Sequence, residues 1–263
     1  MNHQPFIPSQ HSDWIKPHSF AWYAQIGKLT GKYVYPWNSS IVGQDAEELF
    51  EQEVAAMVAG KRVLDIGCGD GEFALQWSPI AEQVTGVDVT EDFIAHGDAG
   101  IRRNVRFVTA NTKEALPFAD ESFDCAYNRR GPTSAYLDIA RVLRPGGRLI
   151  SLHPGDGQGS RLHELMPHLF SPPFEGTPIL DNMKERLAAG GLGHAEIETV
   201  HATQYLHEPI DVIRMCCFGQ LPAVHVAAIA EALPEIQQVF AEHAAAEGLA
   251  FEAVHYIVRV SKR

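Results

Sequence analysis

Residues 62–75 of the chain, RVLDIGCGDGEFAL, place glycines directly after a short apolar run. Gly67, Gly69 and Gly71 alternate with other residues, and Asp65 lies near the end of the run. Because glycine costs order wherever it stands, this density predicts a backbone that bends sharply or comes close to another group. A strand that continues through such a loop into a helix presents backbone N–H groups to a ligand.

The spacing of the glycines separates two kinds of ligand. A dinucleotide-binding loop has the pattern G-x-G-x-x-G, and counting from Gly67 its last glycine falls where the chain has Glu72. A carboxylate at that position would repel a pyrophosphate. Asp65 and Asp70 add further acids. The loop therefore favours a ligand end that carries a positive amino group.

Another acidic residue stands at the end of the next apolar run. The run VTGVDV ends beside Asp88, 23 residues after Asp65. Its two carboxylate oxygens can accept hydrogen bonds from both hydroxyls of a ribose. The simpler alternative is a strand-end cap, but Thr90 already has the residue type of a helix cap.

The elements that must position these residues alternate along the chain. Between residues 62 and 153, five short apolar runs alternate with helical stretches, one of which starts at Pro132. This rhythm predicts βαβ units and a parallel sheet whose strands are buried on both faces. Residues 1–44 have an irregular, aromatic pattern. Residues 209–248 are predicted as two or three helices interrupted by Pro222 and Pro234.

Composition limits the class of protein. The 263 residues are 45% hydrophobic and carry a formal net charge of −12, which disfavours sequence-independent nucleic-acid binding. A folded RNA substrate stays open. The four cysteines form no CxxC pair, which predicts reduced packing residues of a cytoplasmic protein. The polar start predicts no secretory signal, and the lack of a long apolar stretch predicts no transmembrane helix.

Four segments carry a family resemblance. VLDIGCGDG, VTGVDVT, LPFADESFDCAY and RVLRPGGRLI resemble, in order and spacing, the successive motifs of the class I S-adenosylmethionine-dependent methyltransferases. The resemblance covers residues 45–153 and, weakly, 179–205 and 250–261. It implies an α/β, Rossmann-like fold with a mostly parallel sheet of about seven strands flanked by helices. The implied divisions are an aromatic lid (1–44), a cofactor-binding core (45–205), a helical insertion that forms a wall of the substrate pocket (206–249) and a closing strand (250–263).

The resemblance also implies a cofactor, S-adenosylmethionine, with S-adenosylhomocysteine as its product. The glycine loop approaches the methionine part, and Asp65 holds its amino group through water. Asp88 binds the ribose and Val89 packs on the adenine. The implied cofactor-binding residues are Asp65, Gly67, Cys68, Gly69, Asp88, Val89, Asn111, Thr112 and Asn128.

Two of these implied roles concern the ends of strands. The loop after the third predicted strand must supply a group for the adenine amino group. Asn111 or Thr112 takes that role, since the chain lacks the Gly-Asp-Ala pattern of many relatives there. The backbone of Asn128, at the end of the fourth predicted strand, contacts the methionine end.

Methyl transfer requires alignment of the reactants and exclusion of water. Tyr23 and Trp37 of the aromatic lid are predicted substrate-pocket residues; the alternative is that they only pack the segment on the core. Arg129 is predicted to hold a substrate carboxylate or phosphate; the alternative is that one of Arg129 and Arg130 pairs with a nearby acid and the other is solvated. His153 is predicted to follow the fifth strand and to act as a general base and pocket residue; the alternative is a loop histidine bound to backbone.

The sequence thus predicts an enzyme that transfers a methyl group from S-adenosylmethionine to an oxygen, nitrogen or carbon nucleophile of a small molecule by in-line displacement. The alternatives are an RNA or protein methyltransferase, and a non-catalytic S-adenosylmethionine-binding protein. The expected partner is a small-molecule substrate, with no membrane and no metal, and the chain is expected to be a monomer or homodimer.

Overall fold

The computed structural model describes residues 5–96 and 102–263, so the first four residues of the predicted lid lie outside it. The chain divides into two compact units. The first unit comprises Met1–Gln44, Gly157–Glu175 and His201–Val254. The second unit comprises Asp45–Asp156, Gly176–Val200 and His255–Arg263. The predicted lid and the predicted insertion thus share one unit.

Helices and strands alternate along most of the chain. The helices are α1 (Phe20–Thr30), α2 (Ala46–Val58), α3 (Glu72–Gln76), α4 (Glu91–His96), α5 (Ile139–Val142), α6 (Ser160–Leu165), α7 (Pro178–Ala189), α8 (Pro209–Cys216) and α9 (Pro222–His243). The strands are β1 (Ser39–Gly43), β2 (Arg62–Ile66), β3 (Gln83–Asp88), β4 (Val105–Thr109), β5 (Phe123–Arg129), β6 (Leu143–Pro154), β7 (Glu196–Leu206) and β8 (Leu249–Ser261). Strands β7 and β8 contribute residues to both units.

The strands form one sheet in the order β1-β7-β8-β6-β5-β2-β3-β4. Strands β2 to β6 pair in parallel, β8 runs antiparallel to β6, and β1 runs antiparallel to β7. The chain proceeds outward from β2 to β4 and then returns to the other side of β2 as β5. Such a reversal leaves a crevice at the carboxyl ends of the two central strands, where ligands bind in open α/β sheets.

The second unit buries both faces of its strands, because successive side chains along a strand point to opposite faces. Leu64 and Ile66 belong to one apolar cluster, whereas Val63 belongs to another. Helix α2 adds Phe50 and Val54 to the second cluster. The near-continuous apolar strands of the sequence are therefore confirmed as strands covered on both sides.

The predicted α/β fold with a mostly parallel sheet is confirmed, but the sheet has eight strands rather than about seven. The additional strand is β1, which lies in the segment predicted to be irregular. The same segment contains helix α1, whose start is capped by the Ser19 side chain and whose end is Gly31 at φ 67°. The capping serine and the terminating glycine are both present in the sequence, but the many aromatic residues around them led to the prediction of an irregular segment.

Two helix predictions were wrong in their bounds. Pro234 was expected to interrupt a helix, yet α9 continues through it. The buried residues of α9 recur at four-residue intervals along one face and include Val224, Ala228 and Ala232. The packing of this face outweighs the backbone hydrogen bond that Pro234 cannot make. After Pro132, the predicted continuous helix is a 3₁₀ segment, Thr133–Leu137, followed by the short α5.

Candidate functional site

The glycine loop after β2 bends as the sequence predicts. Gly67, Gly69 and Gly71 have φ of 72°, 54° and 78°, which side-chain-bearing residues adopt only with strain. A Cβ on Gly67 would lie 2.8 Å from the Cα of Gly131, so the neighbouring loop already occupies that side. A Cβ on Gly69 would meet nothing within 4 Å. Open space suited to a ligand is therefore found beside Gly69 rather than Gly67.

Asp88 at the end of β3 holds this loop. One carboxylate oxygen accepts a hydrogen bond from the Gly69 N–H at 3.0 Å, and the other accepts from the Thr90 N–H at 2.8 Å. The predicted alternative, a strand-end cap, is thus part of what the residue does. The Thr90 hydroxyl and the Val89 N–H also bind this carboxylate, so a ligand hydroxyl would share its oxygens with the contacts that brace the glycine loop. Burial raises the pKa of this carboxyl, while the hydrogen bonds from Thr90, Gly69 and Val89 oppose the rise.

Asp65 lies on β2 and is buried, at 2% exposure. Its carboxylate accepts a hydrogen bond from the hydroxyl of Tyr127 on the adjacent β5 at 3.0 Å. Burial raises the pKa of Asp65 to about 7, and the bond from Tyr127 opposes that rise. A buried carboxyl that titrates near neutral pH is poised to exchange its proton for a positive ligand group.

The loop after β5 packs on the glycine loop. Asn128 is fully buried; its side-chain oxygen accepts from the Gly131 N–H at 2.7 Å and its amide donates to the Pro132 carbonyl at 3.2 Å. This turn brings Gly131 against Gly67, and a Cβ on Gly131 would lie 2.4 Å from the Ile66 carbonyl oxygen. The side chain of Asn128 therefore shapes the site, whereas the predicted contact of its backbone with the cofactor stays a prediction.

Two further predicted residues flank the loop. The Cys68 thiol is buried, and a Cβ on Gly86 of β3 would lie 2.7 Å from its sulfur, so Cys68 fills the space beneath the loop. Burial raises the pKa of this thiol, so it stays protonated. Val89 follows Asp88 and leaves 37% of its surface exposed, which suits the predicted apolar contact with a ring.

Asn111 and Thr112 follow β4, and the structure separates them. The Thr112 hydroxyl is buried and hydrogen-bonded to the Ser134 hydroxyl at 2.7 Å. The Asn111 side-chain oxygen accepts from the Lys113 N–H at 3.1 Å and the residue is half-buried. Asn111 therefore retains an acceptor lone pair and amide hydrogens for a ligand, which favours it over Thr112 for the predicted adenine contact.

Arg129 and Arg130 both bind one carboxylate, that of Glu47 on α2. The contacts are 2.7 Å from Arg129 Nε and 2.5 Å from an Arg130 amino nitrogen, each to a different oxygen of Glu47. The guanidinium of Arg129 also lies 4.7 Å from the ring centroid of Phe73, a cation–π contact. The alternative of one paired and one solvated arginine is wrong, since Glu47 reaches both. The role of Arg129 as substrate anchor stays a prediction.

His153 lies within β6 rather than in the loop after it, which corrects the predicted position. It is buried, at 4% exposure, and its Nε2 lies 2.6 Å from the hydroxyl of Tyr136. Burial lowers the pKa of His153 to about 4. A ring with that pKa is neutral at pH 7 and a weak base, so these features argue against the general-base role, which stays a prediction.

Tyr23 and Trp37 lie in the first unit, within an aromatic cluster around Phe218. The Trp37 ring stacks on Tyr35 at 4.4 Å, and the Tyr23 ring lies 5.1 Å from that of Trp22. Trp22 donates from its indole nitrogen to the Phe218 carbonyl at 3.0 Å. These contacts pack both residues within the first unit, and their contact with substrate stays a prediction.

Three residues of the site escaped the sequence interpretation. Tyr127 binds Asp65, Glu47 binds the two arginines, and Gly131 approaches Gly67. Tyr127 was predictable in principle, because it occupies the strand next to Asp65. Glu47 was not, since nothing in the sequence relates a helix acid to arginines more than 80 positions away.

Within residues 5–96 and 102–263, no group of three or more His, Cys, Asp or Glu side chains is placed to hold a metal ion. None of the helices described is long and apolar enough to cross a bilayer.

Comparison with known proteins points to one family. Residues 64–151 match the methyltransferase domain family. The chain is 38% identical over 117 residues to the ubiquinone/menaquinone biosynthesis C-methyltransferase UbiE of Pseudomonas putida, a match that covers 39% of this chain and 45% of that protein. The chain spans about half the length of the curated relatives it matches.

Solved structures share the fold at low identity. A protein of unknown function from Deinococcus radiodurans R1 aligns with a TM-score of 0.63 and 19% identity, covering 92% of this chain and 99% of that one. A putative methyltransferase from Bacillus halodurans C-125 aligns with a TM-score of 0.55 and 19% identity, covering 83% and 99%.

The residues present fit the cofactor of this family. Open space beside Gly69, the carboxylate of Asp88, the buried acid Asp65 and the half-exposed Val89 form a set suited to an adenosyl amino acid. The strand order beside β2 and the match over residues 64–151 agree with this fit. Residues 64–151 of this chain are therefore similar to a methyltransferase domain, and the residues around them fit S-adenosylmethionine.

Proposed function

We propose that the chain transfers a methyl group from S-adenosylmethionine to a small-molecule acceptor. The observation that carries this proposal is the contact of the Asp88 carboxylate with the Gly69 N–H at 3.0 Å, beside the open space at Gly69. One residue thereby fixes the glycine loop and places a carboxylate at the end of the adjacent strand. The match to methyltransferases over residues 64–151 supports the same conclusion.

When bound, S-adenosylmethionine supplies a methyl group on a positively charged sulfur. The residues of the chain bind and orient. Asp88 accepts from ribose hydroxyls, Val89 covers the adenine, and Asn111 offers its amide to the adenine edge. Asp65, near its pKa of about 7, becomes fully ionised beside a positive amino group and holds it. These roles belong to the proposal.

The acceptor is proposed to be a small molecule. The formal net charge of −12 opposes binding of a nucleic-acid backbone. The matched relatives include a C-methyltransferase, so a carbon nucleophile is included with oxygen and nitrogen. All four cysteines are free thiols, which supports a reducing, cytoplasmic setting. We also propose that the chain is a monomer or a homodimer.

A turnover assay tests the proposal. The purified chain is incubated with methyl-labelled S-adenosylmethionine and a small-molecule extract, and label in extractable products is measured. The Asp88→Ala variant is the matched control. We expect label to enter products with the parent chain and to fall sharply with the variant. Tight cofactor binding without any transfer would instead support the non-catalytic alternative.

A further inference from the structure

Two of the four cysteines are neighbours in the chain and lie at the end of helix α8. Cys216 is the last residue of the helix, and Cys217 is its C-terminal cap. Both are free thiols, and their sulfur atoms lie 3.7 Å apart. Cys217 is fully buried, whereas Cys216 is half-buried. A small oxidant can therefore reach the pair from the side of Cys216.

The pair differs from the other cysteines in how readily it loses a proton. The hydrogen bond between the two sulfurs lowers the pKa of Cys217 and raises that of Cys216, so the pair shares one thiolate. Burial instead raises the pKa of Cys125 to about 12, and it also raises the pKa of Cys68. Because the thiolate is the form that reacts with oxidants, oxidation is expected at the pair first.

A disulfide between adjacent cysteines is easily reversed. Consecutive Cα atoms are about 3.8 Å apart across a trans peptide, whereas those of ordinary disulfides are about 4.4–6.8 Å apart. The two sulfurs must also approach from 3.7 Å to about 2.05 Å. Such a bond is therefore strained, and strained disulfides are the ones that are readily reduced again.

The strain of this bond would fall on the end of α8. The N–H of Cys217 donates to the Ile213 carbonyl at 2.9 Å, and the Cys216 sulfur lies 3.6 Å from the same oxygen. A ring that contains both cysteines cannot close without a change in the backbone between them. That change passes to the residues that follow Cys217.

The next two residues hold helix α1. The indole nitrogen of Trp22 donates to the Phe218 carbonyl at 3.0 Å, and the Gln25 amide donates to the Gly219 carbonyl at 2.7 Å. Gly219 has φ 72°, and a Cβ on it would lie 2.6 Å from the indole nitrogen of Trp22. The backbone of Gly219 thus packs directly on α1, so a shift there disturbs these contacts.

Gln220 makes a further connection, to the residues that precede α1. Its buried side chain accepts from the Ile15 N–H at 3.0 Å and donates to the Ile15 carbonyl at 2.7 Å. Each of the three residues after the cysteines therefore binds the segment 15–25. The segment and the cysteines belong to the same compact unit.

We propose that Cys216 and Cys217 are a redox modification site, at which a peroxide forms a vicinal disulfide that loosens the segment 15–25. The peroxide oxidises one thiol of the pair to a sulfenic acid and releases one water. The other sulfur attacks the sulfenic sulfur, the sulfur–oxygen bond breaks, and the oxygen leaves as a second water. The two cysteines lose two electrons, which the peroxide gains. The site is independent of methyl transfer.

Peptide mass spectrometry and amide hydrogen exchange of the purified chain test this site. The parent, Cys217→Ser and Cys125→Ser are treated with hydrogen peroxide, alkylated and digested, and a second sample of each is reduced with dithiothreitol. Cys125→Ser is the matched control, because it removes a cysteine and keeps the pair. Exchange is followed in the segment 15–25, with α7 of the second unit as the internal control.

We expect the oxidised parent and Cys125→Ser to yield an unalkylated peptide that contains Cys216 and Cys217 and lacks their thiol hydrogens. Exchange in the segment 15–25 should then accelerate about tenfold, the equivalent of one lost hydrogen bond. Exchange in α7 should not change, and dithiothreitol should reverse both effects. Cys217→Ser should form no such peptide and should show no response to peroxide in the segment 15–25.

A parent whose two thiols stay open to alkylation under peroxide would overturn the proposal. Disulfide formation without faster exchange in the segment 15–25 would also overturn it. An equal acceleration in Cys217→Ser or in α7 would do the same, because general oxidative damage would then be the cause. The decisive comparison is between the oxidised and the reduced parent, so it holds even where a variant fails to fold.

Discussion

Replacement of Asp65 by asparagine should change how the free energy of unfolding depends on pH, and the burial of Asp65 determines the direction of that change. Asparagine has nearly the same shape as the aspartate, and its side-chain oxygen can still accept from the Tyr127 hydroxyl, which lies 3.0 Å from the carboxylate in the parent. The variant therefore removes only the ionisation. Burial raises the pKa of Asp65 to about 7 from 3.8. Between those values the folded protein binds a proton that the unfolded chain has lost, so stability falls as pH rises.

The size of the effect follows from the pH interval between the unfolded and the folded pKa of Asp65. The parent carries the full cost of ionising Asp65 above pH 7, whereas at pH 5 the folded state keeps its proton. Two pH units lie between pH 5 and the folded pKa of about 7. At about 1.4 kcal/mol for each unit, the stability advantage of Asp65→Asn should increase by about 3 kcal/mol between pH 5 and pH 8. Groups common to both proteins cancel in this difference.

Urea unfolding at pH 5, 6.5 and 8, followed by tryptophan fluorescence, measures this difference. Asp138→Asn is the matched control, because its hydrogen bonds to Arg141 lower the pKa of Asp138 below 3.8. Its stabilising ionisation is lost only in stronger acid, so the effect of that variant should be constant from pH 5 to pH 8. If the effect of Asp65→Asn is equally constant, Asp65 is not a buried acid that titrates near neutral pH.

Two further predictions concern the backbone. Gly67→Ala should destabilise the fold by about 3 kcal/mol, because its Cβ would lie 2.8 Å from Gly131. Gly69→Ala should cost only the conformational strain of about 1–2 kcal/mol and should weaken cofactor binding instead. Urea unfolding and calorimetry with S-adenosylhomocysteine distinguish the two variants, and an equal loss of stability would contradict the open space beside Gly69. Pro234→Ala should stabilise the protein by up to about 3 kcal/mol, because it restores a hydrogen-bond donor within α9. An unchanged midpoint of urea unfolding would show that α9 accommodates the proline without cost.

The sequence predicted the scaffold of the site well, because each part of it is local. Strand, glycine loop and helix follow one another in one segment, and Asp88 lies at the end of the next strand. The alternation of apolar runs then places both at the same edge of a parallel sheet. Even the bend at Gly69 was predictable, since only glycine adopts its φ without strain.

The contacts that the sequence missed depend on distant pairs. Glu47 and Arg129 meet only after α2 and β5 have folded into one unit. Gly131 lies against Gly67, which the sequence did not indicate, and the approach of Gly67 to the cofactor stays a prediction. His153 was predicted to follow its strand, but β6 extends through Pro154 and buries it. Side-chain burial at a strand end depends on the length of the neighbouring strands, which a single segment does not encode.

Calorimetric titration of S-adenosylhomocysteine into the purified chain and into Asp88→Ala tests the central claim most directly. The Asp88 carboxylate holds the Gly69 N–H at 3.0 Å, and we propose that it also accepts from a ribose, so the variant should lose both the ligand contact and the loop brace. We expect saturable binding to the parent and at least a tenfold weaker affinity for the variant, the loss of about 1.4 kcal/mol or more. No measurable heat with the parent, or equal affinity in the two proteins, would contradict the account.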